Sequence, residues 1–127
     1  MRIIDRVMGY TLAKVNVYNP KDEFLKEELE LLVDTGSAYT WIRRGKLTKL
    51  GVKGMGRRGF RCIDNRVVER DVGEVVIECL GRRATSIVVF AEEGENEVLG
   101  LHELEGLGLE VDPVTRKLRE SEAILTL

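Results

Sequence analysis

Residues 29–36 read Leu-Glu-Leu-Leu-Val-Asp-Thr-Gly, an apolar run that delivers one carboxylate, Asp34, into a Thr35-Gly36 turn, with Ser37 and Ala38 following. Leu and Val before the Asp suit a buried strand, and Gly36 permits a tight turn or a close backbone approach. The pattern predicts a carboxylate that leaves the edge of a core with its oxygens held by nearby amides, and such a group is preorganised for proton transfer. Asp also opens ordinary turns by bonding its own backbone, and the tripeptide alone does not separate the two readings.

Other chemistries are poorly served. His102 is the only histidine, so a Ser-His or Cys-His pair would have to be built around it. Its place beside Glu103 in a short helix-like segment predicts a partly exposed surface side chain, and no His-Glu-x-x-His unit is present. Cys62 and Cys79 form no Cys-x-x-Cys unit, and two thiols with one His cannot complete a four-ligand zinc site without carboxylates. Core or strand packing is expected for both, with a disulfide left open. Gly54-Met55-Gly56-Arg57-Arg58-Gly59 matches Gly-x-Gly-x-x-Gly, but the dinucleotide fingerprint needs a strand before it and a helix after it. Here the order is reversed, so a flexible loop is expected. Gly45-Lys46-Leu47-Thr48 lacks the upstream spacing of a phosphate loop. Asp34 remains the catalytic candidate, and neither a metal nor a cofactor is expected.

The segment Leu32-Val33-Asp34-Thr35-Gly36-Ser37-Ala38 resembles the signature of the retropepsin-like aspartic proteases, the retroviral, single-domain type. A second hallmark of that family is an apolar-apolar-Gly segment entering a short helix, and Val98-Leu99-Gly100-Leu101-His102-Glu103-Leu104 is similar to it. The resemblance spans residues 10 to 120, in the manner of small soluble members from archaea and bacteria. It implies an all-β fold, a closed acid-protease-like barrel of short strands with one short helix, working as a homodimer. Metal-free hydrolysis of a peptide bond needs a base to take a proton from water and an acid to give one. Two carboxylates sharing one proton supply both, and a chain with one such Asp must take the second from another copy. The resemblance therefore implies that Asp34 meets Asp34 of a second copy on a two-fold axis.

The same resemblance implies the remaining roles. Thr35 would bond across the dimer, and Gly36 would let its backbone approach substrate. Ser37 and Ala38 would line the site, Ser37 also as a donor to the carboxylate. Val98, Leu99 and Gly100 would pack behind the Asp34 loop. A hairpin tip at Ile63, Asp64 and Asn65 would close over an extended peptide by strand addition, although the glycine-rich flap tip of the viral enzymes is absent. The implied activity is that of an aspartic endopeptidase acting on peptide or unfolded protein. The rival reading is a catalytically silent dimeric binding or scaffold domain.

Upstream of Asp34, Tyr10 to Tyr18 alternates with period two and ends at Asn19-Pro20, which predicts a strand and a turn. Lys21 to Glu30 is either a connecting loop or a polar extension of the strand reaching Val33. Trp41-Ile42 reads as strand, and Arg43 to Leu50 as a short amphipathic helix stopped by Gly51. Phe60 to Ile63 and Arg66 to Glu69 flank Asp64-Asn65, a pair that tolerates the positive dihedrals of a tight hairpin turn. Further strands are expected at Gly73–Cys79 and Thr85–Phe90, turning at Gly81-Arg82. Beyond the 92–97 loop, Val98-Leu99 reads as a buried strand. A helix follows over Gly100 to Leu107, closed by Gly106 and Gly108. Leu109 to Val111 and Lys117 to Arg119 read as a last strand pair, and residues 120–127 as a frayed tail or an exchanged interface strand.

At 127 residues the chain fits one domain, too short for the duplicated, pepsin-like arrangement. Its net charge of -2 comes from 20 basic and 22 acidic residues that are interspersed, so no basic face for nucleic acid is expected. Arg57-Arg58 and Arg82-Arg83 read as solvated surface. No apolar stretch approaches about 18 residues, and the first residues, Met1 to Arg6, carry no apolar core, so neither a membrane span nor a signal peptide is expected and the chain is read as cytoplasmic. Charged residues make up 33% of the chain and Gln is absent, a bias shared with proteins of hyperthermophiles.

Overall fold

The computed structural model describes residues 10–122. Strand β1 (Leu12–Asn19) pairs antiparallel with β2 (Asp22–Val33), from Leu12↔Leu32 to Tyr18↔Lys26. Alternation in β1 turns Ala13, Val15 and Val17 into the core. Residues 22–30 are strand and not loop, because Lys26 to Glu30 pair with β1 even where both faces are wet, and Asp22 pairs again with Asn19 beyond a register shift.

Next come β3 (Thr40–Arg43) and helix α1 (Arg44–Lys49), then β4 (Gly56–Arg61), β5 (Val67–Cys79) and β6 (Arg82–Ala91). Strand β7 (Val98–Leu99), helix α2 (Leu101–Leu107), β8 (Leu109–Val111) and β9 (Leu118–Glu120) complete the order. Seven strands form one sheet in the order β1-β2-β7-β3-β6-β5-β4, and β1 also pairs with β5 at Val17↔Ile77, so the sheet closes into a ring. Closure hides strand edges that would otherwise invite pairing. Two pairings are parallel, β2 with β7 and β3 with β6. The ring encloses Val15, Leu31, Ile42, Ile77, Val88 and Leu99, with Leu104 and Leu107 of α2 packed against it.

Both helices read from the residues are present, and only α2 reaches seven residues. Several sequence expectations change. The Gly54–Gly59 segment is not a loop throughout: Gly56 to Arg61 pair with β5 from Gly56↔Val72 to Arg61↔Val67. Strand β5 runs unbroken through Gly73, where a Cβ would lie 3.0 Å from Lys53 O and from Phe90 Cε1. Glycine there marks a close approach of chains and not a strand start. The β5–β6 turn falls on Leu80-Gly81, with Arg82 already in β6. Both cysteines are free, Cys62 half-buried and Cys79 buried. Arg82 is only partly solvated, because its Nη1 caps α2 by donating to Leu107 O at 3.2 Å and Gly108 O at 3.0 Å. The expectation for residues 123–127 and the reading of Met1 to Arg6 lie outside the described residues. Among the described residues, no helix is long and apolar enough to cross a membrane.

Candidate active site

Asp34 stands at the end of β2, where the parallel ladder with β7 is extended by its own amide, which donates to Leu99 O at 3.0 Å. Its Oδ1 accepts the Gly36 amide at 3.0 Å, and its carbonyl accepts the Ser37 amide at 3.1 Å. The carboxylate therefore shapes its own turn. A Cβ on Gly36 would sit 3.2 Å from Asp34 Oδ1, so the small residue leaves the carboxylate room. Leu99 behind it is fully buried, and Val98 faces the adjoining cleft.

That cleft has a volume of about 1000 Å³. One side carries Asp34, Gly36, Ser37 and Ala38, and the hairpin β4–β5 brings Ile63 and Asp64 to the same space. Sequence positions about thirty residues apart thus line one cleft. Thr35 and Asn65 are not among the lining residues. Thr35 is exposed. Asn65 serves the turn instead, at φ 71°, and its Oδ1 and carbonyl accept from Arg61 Nη1 at 3.0 and 3.1 Å. The Ser37 hydroxyl is also not a donor to the carboxylate: it donates to Tyr39 O at 2.7 Å.

An aromatic wall completes the cleft. Phe60 of the hairpin packs edge-on against Trp41 and Tyr39, with ring centroids 5.3 and 5.8 Å away, and Tyr39 stacks on His102 at 5.2 Å. His102 is exposed, as expected for a surface side chain. The sequence reading missed this wall. Tyr39 and Trp41 do alternate in a short strand after the Asp34 turn, which was the available signal.

Charge in the cleft is largely compensated. Asp64 is held below the usual carboxylate range, first by the Arg66 amide and then by the Arg66 side chain. Glu95 is lowered by the Arg70 guanidinium. Glu103 of α2 behaves oppositely: it is 1% exposed, neither carboxylate oxygen has a hydrogen-bond partner among the described residues, and burial pushes its pKa up to about 8. Cys79 is raised by burial and then by the nearby Glu103. Among the described residues no group of three or more His, Cys, Asp or Glu is placed to hold a metal ion.

The two segments the sequence singled out form one unit. The amides of Leu101 and His102 donate to the carbonyls of Ser37 and Ala38 at 2.8 and 3.0 Å, and the Gly100 amide donates to Thr40 Oγ1 at 3.0 Å. These bonds satisfy donors at the start of α2 that a helix cannot satisfy itself. No protein-family model matches the chain, and no curated protein matches it in sequence.

Proposed function

We propose that this chain is a retropepsin-like aspartic endopeptidase whose ring of strands is the acid-protease barrel, and whose site is completed by a second copy. The observation that carries the reading is the placement of Asp34, fixed by Leu99 and Gly36 and lining a cleft that a hairpin also lines. Such a cleft suits an extended peptide, whose main chain can bond to the hairpin.

Hydrolysis would proceed with one proton shared between the two Asp34 carboxylates. Like charges at short range do not both ionise, so one carboxylate is the base and the other the acid. The base takes a proton from a water that attacks the scissile carbonyl carbon, while the acid protonates the carbonyl oxygen. Collapse of the tetrahedral species breaks the C–N bond, and the amine leaves with a proton. Two other carboxylates that line the cleft, Asp64 of the hairpin tip and Glu95 of the opposite loop, are engaged by Arg66 and Arg70, which supports taking the second acid from another copy.

That same engagement favours a second reading, a binding domain that holds a peptide and cleaves nothing. Incubation of the purified protein with an unfolded protein mixture from acidic to neutral pH, with Asp34→Asn as control, separates the two. Cleavage that depends on Asp34 supports the enzyme, and retention of peptide without cleavage supports the binder.

A further inference from the structure

Where the β4–β5 hairpin leaves the sheet, ion pairs take over from backbone bonds. The β5–β6 ladder begins at Val72↔Val89, while the hairpin register runs on from Gly56↔Val72 to Arg61↔Val67. The projecting arm has therefore no ladder to β6. Opposite its base lies the 92–97 loop, whose residues Glu92, Glu93, Glu95 and Glu97 carry no compensating base among themselves.

Arg70 of β5 spans the gap. Its Nε and Nη2 donate to Glu95 Oε1 and Oε2 at 2.9 and 2.8 Å, a two-pronged pair with side chains only 20% and 28% exposed. Glu95 Oε1 also accepts the Glu92 amide at 2.7 Å, which ties the carboxylate to its own loop. Beside it, Arg44 of α1 bridges Asp71 at 2.6 Å and Glu92 at 2.7 Å. Glu95 lines the cleft that Asp34 lines, so the pair joins the loop on one wall to the arm that forms the other.

We propose that Arg70 and Glu95 are positioning residues that hold the 56–71 hairpin over the cleft, with the Arg44–Asp71 bridge as a second fastening. A paired, planar guanidinium–carboxylate contact fixes direction as well as distance, which a ladder bond would otherwise do. Beyond the contacts of Phe60 with Tyr39 and Trp41, the arm is held by charge and not by a ladder to β6, so salt or loss of either partner loosens it. The consequence for peptide entry rests on the proposed function above, whereas the position of the hairpin does not.

The chain's single tryptophan, Trp41, touches Phe60 of the arm and so reports on it directly. In Arg70→Met and Glu95→Gln, acrylamide should quench Trp41 more readily. Amide exchange at Glu92, whose amide donates to Glu95 Oε1, should accelerate about tenfold, with β1–β2 amides unchanged. High salt should move the wild type toward the variants, and Arg70→Glu with Glu95→Arg should restore the original behaviour. Unchanged quenching and exchange in both single variants overturns the proposal, and so does acceleration shared equally by β1 and β2, which would mark a general loss of stability. Repeating the measurements in Asp34→Asn keeps the result independent of any proteolysis.

Discussion

The Leu101 amide donates to the Ser37 carbonyl over 2.8 Å, so helix α2 and the Asp34 loop move as one hydrogen-bonded body. A disturbance at α2 is therefore transmitted to the loop that carries Asp34.

Replacing Asp34 with Asn should abolish peptide hydrolysis while leaving the fold intact. The amide oxygen of Asn can still accept the Gly36 amide, so the turn survives, but the ionisable group is gone. Circular dichroism and thermal unfolding should match the wild type within about 0.5 kcal/mol. Full hydrolysis by Asp34→Asn would show that another group does the chemistry.

Activity should belong to pairs of chains. Mixing wild type with excess Asp34→Asn, under conditions that let subunits exchange, should lower activity more steeply than dilution, because mixed pairs hold one carboxylate at the axis. Rate against mixing ratio, with mass from sedimentation, tests this. A species sedimenting as a monomer and fully active would defeat the shared site.

The activity profile should be bell-shaped and shifted to acid, since only the singly protonated pair holds both an acid and a base. Rates measured from acidic to alkaline pH, with and without a chelator, check it. A monotonic rise toward alkaline pH, or loss of activity with the chelator, would point to different chemistry.

Glu103 should make the fold less stable as pH rises. Its folded pKa, about 8, lies above its ordinary value of 4.5, so between those values the unfolded chain has released a proton that the folded chain keeps. The unfolded state then binds fewer protons, and stability falls through that window at roughly 1.4 kcal/mol per pH unit at most, levelling off on either side. Denaturant unfolding at several pH values should show this slope in the wild type and lose it in Glu103→Gln. An identical slope in the variant would place the titration elsewhere.

Gly100→Ala should be severely destabilising. The added Cβ would lie 2.3 Å from Tyr39 O and 3.0 Å from Ser37 O, both backbone atoms that cannot swing aside. A loss of about 3 kcal/mol or more is expected. Gly45→Ala serves as the contrast, because among the described residues nothing beyond its chain neighbours and its own helix backbone lies within 4 Å of the added Cβ, and the site is helical. It should change little or add up to about 1 kcal/mol. Urea midpoints of the two variants decide the matter.

Local pattern was legible wherever one face of a strand is buried and the other wet. Period two in Tyr10 to Tyr18 and the Asp64-Asn65 turn both declare themselves, the latter because Asn65 accepts a positive φ. The Asp34 turn is equally local, since the bonds that shape it link residues two and three apart. What the chain order cannot carry is pairing between distant strands. The contacts Val33↔Leu99, Trp41↔Val89 and Trp41↔Val98 depend on how the ring closes, and they bring Trp41 and Val98 to the cleft that Asp34 lines. The same holds for charge: Arg70 and Glu95 read as ordinary surface residues until β5 passes the 92–97 loop. Glu103, too, looks like one more polar helical side chain, and only the packing of α2 against the ring buries it. Sequence by itself determined the alternating strands, the Asp64-Asn65 turn and the turn that presents Asp34, because alternation and turn bonds are local to the chain. Tertiary structure decided which walls face Asp34 and which carboxyl lies in the core, because burial and cross-strand contact are properties of neighbours that the sequence keeps far apart.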